Sequence, residues 1–304
     1  MEENRNVSPE RTAQEPLHPR SRRVKGVKRG AGKHKKITPR ALILDAMIVL
    51  CAAVFLVSAF FIVRWLWQNA QTRSIADSLG SLAGVSEDKI RQSDGTEVLP
   101  PLEADDEGKI PYYSLSMQEL LALNPDTVAW IRVAGTEINY PVVQGKDNSY
   151  YLKHNFEYGY TDAGWIFGDY RCDFTRLQNN RNLIIYGHGR RDMSMFGSLE
   201  YCRRSWWLND SDLHTVHITT PTEETVWRVF AVYTTDVEFY YIRTDFTNDA
   251  AFLALVDQMK SKSFYDFDQP VEADDTILTL STCTTDADRL VLQAVLVEQR
   301  ALTD

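Results

Sequence analysis

Three textures of hydrophobic patterning follow one another along the chain. From Ala46 to Val63 the run A-M-I-V-L-C-A-A-V-F-L-V-S-A-F-F-I-V carries no charge. At about 1.5 Å per residue it nearly crosses a hydrocarbon layer of ~30 Å, and Trp65 and Trp67 suit the interface beyond it. Residues 41–67 therefore read as a single transmembrane signal-anchor. A cleaved signal peptide fits less well, because the run starts late, is long, and has no small-x-small site after it. From Gln68 to about Lys109 the chain turns polar and acidic with little periodicity, as a stalk or spacer over residues 68–109 would. A compact domain is expected over residues 110–304.

Within that domain Ser114 to Leu123 has a capping-box form, Ser116 followed by Glu119, before an apolar stripe, and predicts a short helix ended by Asn124-Pro125. The period then changes to two. Val128–Val133, Ile138–Val143, Gly164–Phe167, Asn182–Tyr186, Leu213–Thr220, Thr225–Thr234, Thr276–Thr282 and Leu290–Val297 are short runs rich in β-branched and aromatic residues, bounded by turn formers. Eight such strands imply a mainly β barrel or sandwich. One interruption is helical. Asn248 to Lys260 has an Asn cap, acid in its first turn, apolar residues at helical spacing and a terminal Lys.

Charge sharpens the membrane reading. Residues 1–40 hold 12 Lys/Arg against 4 Glu, a balance of +8, so the other 264 residues carry −17 within the overall −9. The basic tail, residues 1–40, is expected to stay cytoplasmic by the positive-inside rule, which sends everything after Trp67 outside. A juxtamembrane, lipid-attracted tail explains the basic residues without a nucleic-acid partner. Of four cysteines, Cys51 lies in the span, leaving Cys172, Cys202 and Cys283 outside. An odd number leaves at least one external thiol unpaired. Whether Cys172 and Cys202 pair is open at this level.

In the strand Thr276-Ile-Leu-Thr-Leu-Ser-Thr-Cys283, alternation sets Leu278 and Leu280 on one face and Thr279, Ser281 and Cys283 on the other. Cys283 is either a small core filler or the end of a polar row at a rim. Thr284 to Asp288 is a five-residue, turn-rich link, as in a hairpin, which would bring Arg289 beside Cys283. A guanidinium there lowers a thiol pKa and stabilises an oxyanion; the plain alternative is a solvated surface arginine. A thiol nucleophile also needs an imidazole. His214 and His217 lie on opposite faces of one strand with no acidic or Cys partner, so they make no zinc pair. His154 reads as a helix-end surface residue. His188 follows N-L-I-I-Y between two glycines, at a strand end where its ring can face a cleft or simply occupy a loop.

Taken together, T-L-S-T-C resembles the T-L-x-T-C signature of the sortases, and Y-G-H-G followed by M-F-G-S-L resembles their histidine segment. N-P-D-T-V-A-W-I-R-V, I-N-Y-P-V-V-Q-G and D-N-S-Y-Y-L-K-H are similar to the N-terminal half of the class B branch. The resemblance covers about Ser114 to Val297. It implies an eight-stranded sortase-type β-barrel with N-terminal helices and a helix inserted before the last two strands. It also implies a membrane-anchored cysteine transpeptidase of Gram-positive bacteria, needing no cofactor and no metal, with its catalytic domain outside the cell. By the family's pattern Cys283 attacks the carbonyl after the threonine of a C-terminal sorting motif on a secreted protein, His188 is acid and base, and Arg289 steadies substrate and oxyanion. Ser281 and Thr282 are expected in the substrate pocket. The acceptor would be a stem-peptide amine of a peptidoglycan precursor such as lipid II. The Cys-to-Arg gap of six is shorter than the family leads one to expect, which keeps Arg243, Arg190 and Arg191 as other candidates, and Ala129 stands where the family usually has Gly. A pilin-polymerising sortase or a hydrolase would use the same site, and a non-catalytic wall-binding ectodomain is the alternative outside enzymes.

Overall fold

The computed structural model describes residues 39–83, 89–102, 117–236, 238–283 and 288–302. The chain divides into two compact units between Leu56 and Val57. Helix α1, Pro39–Leu82, runs through the division and is long and apolar enough to cross a membrane. It does not stop where the apolar run stops. Residues 68–82, read above as part of a spacer, continue the helix and bury Asn69, Thr72, Ile75 and Leu79. The spacing 72, 75, 79 is one helical face, and its few apolar members are enough to pack Ile75, Leu79 and Ala83 into the main core. A hairpin of two-residue strands follows, β1 (Ile90–Arg91) with β2 (Glu97–Val98). Leu99 then exchanges backbone bonds with Gly135 and Thr136, both 2.9 Å, which ties this segment to the domain.

Helix α2 spans Met117–Leu123 and buries Met117 and Leu120. The Ser116 end of its expected capping box lies outside the described residues. The strands that follow are β3 (Thr127–Val133), β4 (Asn139–Val143), β5 (Phe167–Gly168), β6 (Asn182–His188), β7 (Thr215–Thr219), β8 (Glu223–Thr235), β9 (Ile277–Cys283) and β10 (Arg289–Ala301). A short helix α3 (Ser205–Leu208) precedes β7, and α4 (Asp249–Lys262) lies between β8 and β9. The eight strands from β3 to β10 close into a barrel in the order β10-β8-β7-β3-β4-β5-β6-β9, with β9 returning to β10. Two of the pairings, β4 with β5 and β6 with β9, are parallel; the rest are antiparallel. Closure removes the open edges that a strand would otherwise offer to another chain.

Helix α4 forms for reasons visible in its residues. The Asn248 side chain accepts from Ala251 N–H at 2.9 Å, Asp249 sits at the positive end of the helix dipole, and Lys260 and Lys262 sit at its negative end. Phe252, Leu255, Val256 and Met259 make its buried stripe and form a second cluster with Phe230, Ile277, Val291 and Val295. The main cluster takes the other side of these strands, including Leu278, Leu280, Leu292 and Ala294. Strand β9 is therefore packed on both faces. Burying a leucine of this kind is worth roughly 1.5–3 kcal/mol relative to leaving it in water.

Candidate active site

The site is set by one parallel ladder. Strands β6 and β9 pair in register from Asn182↔Ile277 to His188↔Cys283 without a shift. Two residues separated by most of a hundred positions thus end side by side at the same rim. On the other side of β9 the antiparallel ladder with β10 runs through Val291↔Ser281. Continued two positions toward the rim, it brings Arg289, the first residue of β10, level with Cys283. The backbone therefore gathers all three candidate catalytic positions at one strand end, and the link expected to turn between β9 and β10 lies, from 284 to 287, outside the described residues.

The alternation read from the sequence holds. Leu278 and Leu280 belong to the core, while Thr279 and Ser281 face a buried polar network. The Thr279 hydroxyl bonds to Asn182 Oδ1 at 2.6 Å, with Gln293 Oε1 2.9 Å away, and Gln293 Nε2 donates to Tyr233 OH at 3.0 Å. Asn182 Nδ2 donates to the carbonyls of Tyr241 and Arg243, at 3.1 and 3.0 Å. These bonds dock the segment before α4 onto the strand. Ser281 is buried with its hydroxyl 2.8 Å from Tyr241 OH. Thr282 accepts from Leu290 N–H at 2.9 Å. It also lines a cleft of about 670 Å³ with Arg191, Thr234, Asp288 and Leu290.

His188 is half-buried, and its Nε2 lies 2.9 Å from the Leu152 carbonyl. A carbonyl can only accept, so Nε2 carries the hydrogen. Neither Leu152 nor Gly164 was marked by the sequence reading, yet both position this ring. Gly164 has φ +57°, and a Cβ there would stand 2.5 Å from Tyr151 O and 2.9 Å from His188 Cδ2. Its only signal was a glycine just ahead of an apolar run. After His188 the chain turns back sharply: Gly189 bridges Met195, Phe196 N–H returns to His188 O at 3.1 Å, and Met193 and Met195 take φ of 64° and 54°. Nearby, Tyr186 donates to Asp169 at 2.9 Å, and Arg171 clasps the same carboxylate. Burial works to raise the Asp169 pKa, but the bonds from Arg171 and Tyr186 hold it below the ordinary value.

The other sequence candidates go elsewhere. Arg190 is engaged by Asp192, Ser194 and Asn69. Arg243 lies with its guanidinium 5.8 Å from the Phe246 ring centre. Arg191 is exposed at the cleft. Cys172 and Cys202 do not pair; both are free and buried. Burial pushes the Cys172 thiol up to about 12 and the Cys202 thiol well above its usual range, which disfavours the thiolate that a nucleophile needs. Only His217 of the two tandem histidines lies in β7; His214 ends the turn before it and donates from Nε2 to Trp207 O at 3.0 Å. Burial lowers His217 to about 3. His154 follows a single 3-10 turn, Tyr150–Leu152, rather than a full helix, and stacks on Tyr150 at 4.0 Å.

The Sortase domain family profile matches residues 131–297, more than half of the chain and all of the barrel strands except the first half of β3 and the end of β10. The chain belongs to the sortase family. Its relatives place it in class B, a branch of cysteine transpeptidases. It is 39% identical over 189 residues to Sortase B of Listeria monocytogenes, covering 60% of this chain and 74% of that one. Sortase B from Bacillus anthracis, solved in complex with AAEK1, superposes with a TM-score of 0.61 at 33% identity over 77% of this sortase and 99% of the relative. A Staphylococcus aureus sortase B–substrate complex gives 0.56 at 35% identity, over 60% and 84%.

Proposed function

We propose that this sortase is a membrane-anchored transpeptidase in which Cys283 is the nucleophile, His188 the proton carrier and Arg289 the oxyanion partner. The observation that carries the reading is the pairing of His188 with Cys283 on adjacent parallel strands, and Arg289, which opens the next strand two residues before the Val291–Ser281 pair, supports it. The burial of the other two external thiols supports the choice of cysteine. In the first half-reaction the Cys283 thiolate adds to the carbonyl after the threonine of a C-terminal sorting motif. Arg289 balances the negative oxygen of the tetrahedral intermediate. The C–N bond breaks, His188 supplies a proton to the departing amine, and a thioester remains on Cys283. In the second half-reaction a stem-peptide amine of a peptidoglycan precursor attacks the thioester, His188 takes up its proton, and the thiolate leaves. Thr282 borders the donor pocket, and Ser281, buried against Tyr241, supports it from behind. Helix α1 holds the enzyme in the membrane as a single-pass protein with its basic N-terminus in the cytoplasm and its catalytic domain outside. That a sortase B relative from Staphylococcus aureus is known as a substrate complex supports a peptide donor.

Intact mass after mixing with sorting-signal peptides tests the reading. A thioester adduct on the native chain, absent in Cys283→Ala, is expected, and His188→Ala should lower kcat/KM by about 10²–10⁴. Cleavage persisting in Cys283→Ala sinks the proposal. The products separate transfer from hydrolysis, since ligation yields an amide to the acceptor amine and hydrolysis a free threonine acid.

A further inference from the structure

Helix α1 meets the catalytic domain at three heights. Arg64, the first residue after the apolar run, pairs with Asp162 at 3.9 Å. Asn69 accepts from Arg190, and Arg73 donates to the Asp192 carbonyl at 2.5 Å. At 1.5 Å rise per residue, Arg64 lies about 14 Å below Arg73 along the helix, toward the apolar run. The loop that carries Asp162 is therefore the lowest of the three contacts, level with the point where the span ends.

That loop has an unusual surface. Tyr160 is 63% exposed and Tyr158 40%, and Tyr150 and Leu123 are exposed beside them. The Tyr158 hydroxyl donates to Asn124 Oδ1 at 2.7 Å, which brings in the chain neighbour Leu123. His154 stacks on Tyr150 and sets its edge 5.9 Å from Tyr160, so these rings stand as a group. Lys153 neutralises Asp162 from the other side, at 3.5 Å. Rings with an apolar body and a polar tip, next to a long cation, are the side chains that favour the headgroup layer of a bilayer. Trp65 and Trp67, on the adjoining turn of α1, are 50% and 64% exposed and of the same kind.

We propose that the Lys153–Asp162 loop rests on the headgroup layer of the membrane that α1 crosses, with Tyr160 and Tyr158 as its contacts. The inference rests on the reading of α1 as an anchor. It has a consequence for the site, because Leu152, at the start of this loop, holds the His188 ring through its carbonyl. The active-site rim is thereby kept close to the lipid surface, where a donor still tethered by an apolar C-terminal tail would present its motif.

The test uses the full chain in vesicles of phosphatidylcholine and phosphatidylglycerol. With Cys283→Ala and Cys51→Ala removing accessible thiols, an environment-sensitive fluorophore is placed at Tyr160→Cys or, as a reference on the exposed face of α4, which packs against β8, β9 and β10, at Gln258→Cys. Headgroup-labelled quencher lipids are expected to quench the probe at 160 about twofold more than the probe at 258, as interfacial placement requires. Equal quenching in a chain that resists carbonate extraction overturns the inference while leaving the anchor intact. Extraction of the chain by carbonate overturns the anchor reading, and this inference falls with it. Probe-to-probe excimer formation between copies at 160, without lipid quenching, makes the patch a self-association surface and also overturns it.

Discussion

The two faces of β9 hold the same strand by different physics. On one face Leu278 and Leu280 pack into the core, where any apolar group of similar volume would nearly serve. On the other, Thr279 and Ser281 are equally buried but are satisfied by named partners, Asn182, Gln293 and Tyr241. The apolar face supplies cohesion without direction. The polar face fixes the register of β9 against β6 and β10 and docks the segment before α4, because a buried hydroxyl or amide left without its partner is expensive. The end of such a strand is set in register by the polar face and anchored by the apolar one.

Substitutions on the two faces should separate these roles. Leu280→Ala carries the largest expected cost, about 2–5 kcal/mol in denaturant unfolding, from lost transfer energy and the cavity left behind. Any Leu280→Ala protein that stays folded should keep its kcat and sorting-peptide KM, since direction is untouched; altered specificity would break the comparison. Thr279→Val keeps the shape but leaves Asn182 and Gln293 short of a donor, at about 1–3 kcal/mol, and should also slow acylation of Cys283 by disturbing strand register. A stability loss with normal acylation would show that the polar face does not aim the thiol.

Asp169→Asn probes a neighbouring polar network, Asp169 with Arg171 and Tyr186, through pH. The Asp169 pKa in the folded protein lies below the ordinary 3.8, held down by Arg171 and Tyr186 against burial. Its contribution is fully present above the unfolded value near 3.8 and is lost as pH falls through the lower folded value. Unfolding curves at pH 5 and below pH 4 should therefore show a shallower acid loss in Asp169→Asn than in the native chain; parallel losses would remove Asp169 from the network. Tyr241→Phe is the smallest change. It deletes one hydroxyl contact to Ser281, worth about 0.5–1.5 kcal/mol, and should raise the KM for the sorting peptide more than it lowers kcat.

The same contrast explains what the sequence disclosed. Strand parity in T-I-L-T-L-S-T-C revealed which side chains meet the core, because period two follows from backbone geometry alone. The cap of Asn248 and the stripe of α4 were likewise local and legible. What stayed hidden was carried by partners distant in the chain. The parallel pairing of β6 with β9 leaves no turn signature, so His188 reached Cys283 only through the family resemblance. Leu152 acts through a carbonyl, which no residue type advertises, and Gly164 matters through a φ that one letter does not disclose. Residues 68–82 look like a spacer in sequence because Ile75 and Leu79 are sparse among polar neighbours, although two well-placed side chains suffice when a core waits for them. Arg190 was a candidate by position and is engaged by Asp192 and Asn69, contacts that spacing cannot foresee.

The parallel ladder between β6 and β9 also governs when the proposed site can assemble. A hairpin can form as soon as its two arms exist, but this pair must wait for the chain between Ile185 and Leu280 to be complete and for the barrel to close across it. Until then Cys283 has no strand carrying His188 paired beside it. On the proposed mechanism a nascent or half-threaded chain is silent toward the peptides around it until the last seam of the barrel has shut.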